Sequence, residues 1–358
     1  MSETSVPRLA TPRVSRALRV TAWLSFLAEV LIIGTGGAVR LTGSGLGCSE
    51  WPLCTPDSLV PTQELGIHGF IEFGNRTLTG LVAVLALAVL FLALHHAGGT
   101  KAIVHALWFA LGGIVLAAMG YVAALLLSLE AFPVALAVLL VTVIVAMADS
   151  LRRTRASRDL VVLAWLVFVG VVAQAFVGGI TVLTGLNPAI VGFHYASSLV
   201  IVCLTAAFLV RMAEQPGARE KAVPAWFATG IHVTGLALAL TIFFGVLTTG
   251  SGPHSGDKNV VRDGFDATIL AHVHSWPGYV LAGLVAVLTL AALIQQLRPQ
   301  RWMLALAAAI LVQIFVGVWQ AREGLPPLLV GIHMVLAALS AAAYTVVVLR
   351  LKRPAAQG

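Results

Sequence analysis

The sequence predicts an all-α polytopic membrane protein with about ten transmembrane helices. Three observations carry this. Hydrophobic residues make up 59% of the 358 residues and charged residues only 10%, against about 25% charged in an ordinary soluble domain. Apolar runs of roughly 20 residues, long enough for a hydrocarbon core of about 30 Å, recur along the whole chain. Finally, one 21-residue pattern occurs twice. Gln174–His194 reads QAFVGGITVLTGLNPAIVGFH and Gln313–His333 reads QIFVGVWQAREGLPPLLVGIH, with 10 identical positions and no gap.

The predicted spans are 18–40, 68–95, 102–127, 131–149, 160–183, 190–211, 225–249, 268–296, 301–320 and 327–350. Orientation follows from the basic residues of the short loops. Seventeen of the 22 Lys and Arg residues lie in the even-numbered gaps and the two tails, including Arg8, Arg13, Arg16, Arg152, Arg155, Arg211, Arg298 and Arg350. The other five are Arg40, Arg76, Lys258, Arg262 and Arg322. Both termini are therefore expected in the cytoplasm and the protein in the cell membrane. The net charge of +7 follows from this bias and calls for no nucleic-acid partner; the expected surroundings are membrane lipid.

Each copy of the 21-residue pattern is the end of one helix, a Gly/Pro turn and the start of the next. The likeness extends further, because Thr-Gly-Ser-Gly ends both span 1 (Thr42–Gly45) and span 7 (Thr249–Gly252). A four-helix unit therefore occurs twice. Asn75 and His274 occupy matching places in the second helix of each unit. Asn75 precedes His194 by 119 residues and His274 precedes His333 by 59, so the first unit holds an inserted hairpin near 101–150. The expected organisation is two pseudo-symmetric four-helix bundles, 18–211 and 225–350, with a linker at 212–224 and tails at 1–17 and 351–358. Glu130 and Pro133 mark the hairpin's turn.

Ionisable groups inside a membrane are costly and usually face a bundle interior. His194, His274 and His333 each fall a few residues into a helix starting on the outer side, about 10 Å below its end. Histidines at one depth on facing helices can hold a planar cofactor, and haem iron accepts imidazole axially. His274 and His333 form such a pair in the second unit. The plainer alternative is a helix–helix hydrogen bond from each. In span 2, His68, Glu72, Asn75 and Thr79 share one helical face. Glu72 there is either a proton-relaying carboxylate or part of a polar seam between helices. Arg40 and Arg76, near the outer boundary, either bind carboxylates of a cofactor or anchor helix ends. Cys48 and Cys54 lie in the loop 41–66 on the oxidising side, where they can pair as a staple or a redox couple. His254 and Asp257 are two candidate metal ligands, too few to establish a site. His232 and His272 have no duplicated counterpart.

At these residues the chain resembles the haem A synthase family. The matching pieces are GGAVRLTGSGLGCSEWPLC (Gly36–Cys54), IEFGNR (Ile71–Arg76), both Gln-to-His copies and TGSGPHSGD (Thr249–Asp257). The resemblance implies two four-helix halves and oxidation of a haem O methyl group to a formyl group, giving haem A for terminal oxidases. It implies haem b between His274 and His333, and haem O in the first half near His194, with Asn75, His68, Arg76 and Arg40 as candidate contacts. Glu72 matches the family's carboxylate, and Cys48 and Cys54 its outer pair. An electron donor of unidentified kind is required; haem O synthase and a second copy of the chain are candidate partners. This sequence departs from the family at Asn75, where histidine is usual, and at Ser275, where arginine is common. Asn75 leaves the first-half iron to His194 alone or to His68. Two other classes are carried alongside. A membrane di-haem electron carrier would share the His274–His333 site but not need Glu72. A transporter would place broken helices at mid-membrane, which these spans lack.

Overall fold

A computed structural model describes residues 14–154, 157–257, 260 and 264–355. Arg8, Arg13, Arg155, Lys258 and Arg262 of the charge tally lie outside them. The described residues form nine helices: α1 Arg16–Leu41, α2 Gly66–Leu126, α3 Ala131–Arg153, α4 Arg158–Leu183, α5 Pro188–Met212, α6 Ala225–Ser251, α7 Ala267–Ile294, α8 Gln300–Arg322 and α9 Pro327–Arg350. All nine are long and apolar enough to cross a membrane, and the chain is a multi-pass membrane protein.

Ten predicted spans become nine helices at one point. Spans 68–95 and 102–127 are joined within α2, which is broken at Gly99 (φ 65°, ψ −166°). A side chain rarely adopts that φ, so glycine at this position permits the break. Residues of both arms, Leu90 and Leu94 on one and Ala102 and Ala106 on the other, share a core cluster with Leu18, Ala146 and Trp165. The second arm pairs with α3, and Gly113 admits Thr142 closely. Only 11% of the most apolar window of α3 is buried, so α3 lies at the edge of the bundle.

Three further cores organise the rest. Phe227, Ile231, Leu281, Met303, Leu306 and Val347 join α6 to α9. Ala28, Val82, Ala86, Val171 and Ile201 join α1, α2, α4 and α5. Ile33, Leu199, Val202, Ala206, Ala338 and Ala342 form a seam of α1, α5 and α9. Across this seam the Tyr195 hydroxyl donates to the Met334 carbonyl at 3.1 Å.

The two ends of the bundle differ. At one end, the disulfide end, the loop 42–65 follows α1. There Gly45 N–H donates to the Gly256 carbonyl at 2.9 Å, and Arg40 donates through Nε to the His254 carbonyl and through Nη2 to the Thr249 carbonyl. The opposite, basic end is tied by Glu214, which is paired with Arg211, Arg219, Arg298 and Arg350. A two-stranded antiparallel ribbon there, β1 Arg219–Lys221 and β2 Lys352–Pro354, joins the segment after α5 to the chain after α9. Four of the arginines that mark this end as basic thus converge on one carboxylate.

Candidate functional site

The two copies of the repeated pattern make the same turn. Gly185 and Leu186 have φ of 62° and 59°, and Gly324 and Leu325 have 74° and 64°. In each copy the leucine N–H donates to a carbonyl five residues back, Thr181 or Gln320, at 2.8 Å. A proline then opens the next helix, Pro188 in α5 and Pro327 in α9, where its missing N–H costs nothing. His194 and His333 each follow six residues on, and His274 lies seven residues into α7, whose start is capped by Asp266. The three imidazoles therefore sit at one level, about 10 Å from the helix starts, near the disulfide end.

Each imidazole lies against a glycine of the preceding helix. A Cβ on Gly178 would stand 3.4 Å from His194 Cε1, one on Gly245 2.9 Å from His274 Cε1, and one on Gly317 3.0 Å from His333 Cε1. Gly178 and Gly317 are equivalent positions of the repeat. The identity of these glycines was visible in the sequence; their service to the histidines was not.

His274 and His333 face one another, with ring centroids 6.2 Å apart and planes at 81°. Two imidazoles sharing one metal ion would stand with centroids roughly 6 Å apart, given metal–nitrogen bonds of about 2 Å plus the ring radii. The Nδ1 of His274 is 2.9 Å from the Thr241 carbonyl. A carbonyl only accepts, so Nδ1 carries the proton and Nε2 keeps its lone pair. His333 Nδ1 is buried beside the Gln313 backbone, outside normal hydrogen-bond geometry. The spacing and the free Nε2 of His274 fit two imidazoles that would hold one haem iron between them.

His194 belongs to a different site. It lines a cavity of about 330 Å³ with Glu29, Arg40, Glu72, Asn75 and Arg76, near the lower end of the roughly 300–1,000 Å³ of small-molecule sites. Its Nδ1 donates to Gln174 Oε1 at 2.6 Å, and Gln174 Nε2 donates to Ser197 at 2.6 Å. This fixes the tautomer with the Nε2 lone pair free. Asn75 lines the cavity but is held by Thr35, whose hydroxyl donates to Asn75 Oδ1 at 2.8 Å.

Glu72 is buried and both its oxygens are engaged. Oε2 accepts from Cys48 N–H at 2.7 Å, and Oε1 accepts from Arg76 Nε at 3.2 Å and from Arg76 Nη2. Arg76 also donates to the carbonyls of Glu50 and Leu53 at 2.9 Å and of Cys48 at 3.3 Å. The donors of Arg76 are thus taken up by the Glu72 carboxylate and by carbonyls of the loop. The loop itself is closed by a Cys48–Cys54 disulfide, both cysteines fully buried. It drives the Trp51 ring onto Gly179, where a Cβ would lie within 2.3 Å of the indole. Trp51 and Pro52 form part of the cavity wall.

His68 does not reach the cavity. It is exposed, and its Nδ1 pairs with the Ser44 hydroxyl at 2.8 Å. The helical repeat that puts it on the Glu72 face is correct, but one turn nearer the helix start it has passed beyond the cavity wall. Arg40 does line the cavity, with Nε and Nη2 engaged by the loop after α6. His254 Nε2 is bonded to the Leu325 carbonyl at 2.8 Å, and among the described residues no group of three or more potential metal ligands gathers. His272 is exposed and bonded to its own helix. Sequence reasoning missed Glu29. This is the sole charged residue of span 18–40 apart from Arg19 and Arg40, and an intramembrane carboxyl is itself a signal.

Comparison with known proteins gives a consistent set of matches. Residues 131–253 match the family model COX15-CtaA, described as cytochrome oxidase assembly protein. Heme A synthase of Staphylococcus saprophyticus is 35% identical over 118 residues, 32% of this chain and 38% of that protein. Heme A synthase of Exiguobacterium sibiricum is 36% identical over 70 residues, 19% and 23% of the two chains. That of Geobacillus kaustophilus is 31% identical over 66 residues, 18% and 20%. The matched stretches thus span well under half the length of each relative.

Proposed function

We propose that this chain is a haem A synthase, oxidising a methyl group of haem O to the formyl group of haem A. The matches to the family model and to three relatives so named support that family. The observation that carries the reading is the pairing of two unlike histidine sites in one bundle. One has two imidazoles 6.2 Å apart; the other has one imidazole on a cavity. A single histidine on a cavity suits a haem that enters and leaves as substrate. Two facing histidines suit a haem that stays.

In this reading His274 and His333 hold haem b, which supplies one-electron transfer when bound. Gly245 and Gly317 let the two rings approach their helices, and Thr241 keeps His274 Nε2 free. His194 holds the substrate iron through Nε2, with Gln174 fixing its tautomer. Asn75 lacks a basic ring nitrogen and leaves the facing position to other groups. Glu72 lies on the cavity wall beside Arg76, where a carboxylate can take up or return a proton as the methyl group is oxidised. The loop 42–65, closed by its disulfide and pinned by Arg76, covers that end of the cavity with Trp51 and Pro52. The termini lie on the cytoplasmic side, in keeping with the basic end at Glu214. The two halves are 18–211 and 225–350.

Co-expression with a haem O-producing enzyme, followed by haem extraction and mass analysis, tests the activity. Wild-type protein is expected to yield haem A. Glu72→Gln is expected to keep the fold and haem b but accumulate haem O or a hydroxylated intermediate. An electron carrier would leave haem O unaltered in both strains, and that result would exclude the synthase.

A further inference from the structure

Glu29 lies at the far end of the His194 cavity from the disulfide loop. It is 3% exposed and forms part of the cavity wall. Its Oε1 is buried with no hydrogen-bond partner among the described residues. Its surroundings are apolar, with Val82, Val171 and Ile201 at the same level of the wall. A carboxyl oxygen left unpaired in such a place is destabilising unless something fills the cavity beside it. A purely structural role would require a partner on α2, α4 or α5, and among the described residues none is hydrogen-bonded to Oε1.

The cavity is polarised along its length. Arg40 and Arg76 line the disulfide end, His194 lies between, and Glu29 closes the inner end. Glu29 precedes Arg40 by 11 residues on α1, which is about 16 Å along the helix axis. A haem with its iron at His194 and its anionic propionate edge toward the disulfide end, where Arg40 Nη1 is not engaged by the His254 or Thr249 carbonyls, presents its opposite edge to Glu29. A carboxyl group can accept a hydrogen bond from a hydroxyl there in either protonation state.

We propose that Glu29 binds a hydroxyl on the substrate edge opposite the propionates, and so selects haem O over protohaem. Haem O carries a hydroxyl beside its prenyl chain on that edge, where protohaem has a vinyl group. The inference rests on the assignment of the His194 cavity as the haem O site. It deepens that assignment by naming the group that tells substrate from precursor. Sites built to bond a hydroxyl discriminate against analogues lacking it far more strongly than apolar pockets do.

The test is a titration of full-length protein, already carrying haem b, with haem O and separately with protohaem. Wild type should prefer haem O. Glu29→Leu and Glu29→Met should each lose roughly tenfold in haem O affinity, as for one buried hydrogen bond, with protohaem affinity unchanged. Glu29→Gln, which still accepts from a hydroxyl, should retain most of the preference. Two apolar variants of different shape are used so that misfolding of one does not decide the result. Haem O affinity at the wild-type level in a folded apolar variant overturns the anchor, as does an equal loss for both haems. His194→Ala separates the two levels of failure. If it leaves haem O uptake unchanged, the cavity is not the substrate site and both readings fall. If it abolishes uptake while the Glu29 variants keep the wild-type preference, the anchor alone falls.

Discussion

The two copies of the Gln-to-His pattern have the same turn and the same glycine beneath the imidazole, yet their glutamines behave differently. In the first copy Gln174 Oε1 holds His194 Nδ1 at 2.6 Å. In the second, Gln313 Nε2 donates to the His333 carbonyl at 3.1 Å, and neither Gln313 Oε1 nor His333 Nδ1 has a side-chain partner among the described residues. The surroundings also differ. His194 meets a cavity with Asn75, Glu72 and Glu29 on its walls, whereas His333 meets His274. One hairpin pattern, with 10 of its 21 positions identical between the copies, thus serves two sites. The difference comes from the helices around it, α1 and α2 in one case and α6 and α7 in the other. A duplicated motif fixes the position of a ligand; its neighbours decide whether it faces a partner or a pocket.

The sharpest way to break this comparison is to remove the histidines one at a time. His274→Ala and His333→Ala are each expected to abolish the low-spin haem b spectrum of the purified protein. His194→Ala should leave it intact and remove haem O binding. A normal spectrum in both second-site variants would dissolve the contrast between a resident and a transient haem.

Next in size are the glutamines. Gln174→Leu removes an existing bond to a ligating ring and should weaken haem O binding roughly tenfold, the lower range for loss of such an orienting partner. Gln313→Leu removes no bond to the imidazole ring and should change the haem b spectrum and redox potential little. Equal effects would mean that Gln313 swings onto His333 Nδ1 when haem is bound, making the copies alike in the working protein.

A smaller effect is expected at the loop over the first site. Cys48→Ser with Cys54→Ser opens a short covalent ring and should cost about 2 kcal/mol of stability, read as a lower melting temperature. Mass spectrometry of alkylated, non-reduced protein should find neither cysteine labelled. The second site, which lacks this loop, should keep its haem b spectrum. Loss of that spectrum would couple the two sites through the Arg40 contacts to Thr249 and His254.

The smallest effect is expected from excising the hairpin, about 101–150, with a short linker in its place. Its outer helix α3 is little buried and carries no residue of either site. Some haem A production should survive. A stable deletion that binds both haems but is inactive would give the hairpin a role that the second half performs without one.

Apolar run length and the repeated 21 residues were enough to read the helices, the turn between each pair and the level of the three histidines. This is so because span length and turn chemistry are local, and helical rise converts residue number directly into depth. The break at Gly99 was legible only as a gap between two apolar runs, since whether a helix ends or bends there depends on φ at one residue. Cys48 with Cys54 was readable as a possible pair because the charge bias puts their loop on the oxidising side. Depth and repeat pointed to His274 and His333 as a pair, but that their rings face one another depends on α7 and α9 each packing on α6 and α8, which no spacing of 59 residues encodes. The helical face of span 2 was read correctly, yet it could not say that His68 lies beyond the cavity wall and Glu72 within it. Nor could it say that Arg76 holds a loop and that Glu29 Oε1 has no hydrogen-bond partner among the described residues. Depth and face belong to one helix and are written in its sequence. Which groups meet across a cavity depends on how four or more helices cross, and only the tertiary structure decides that.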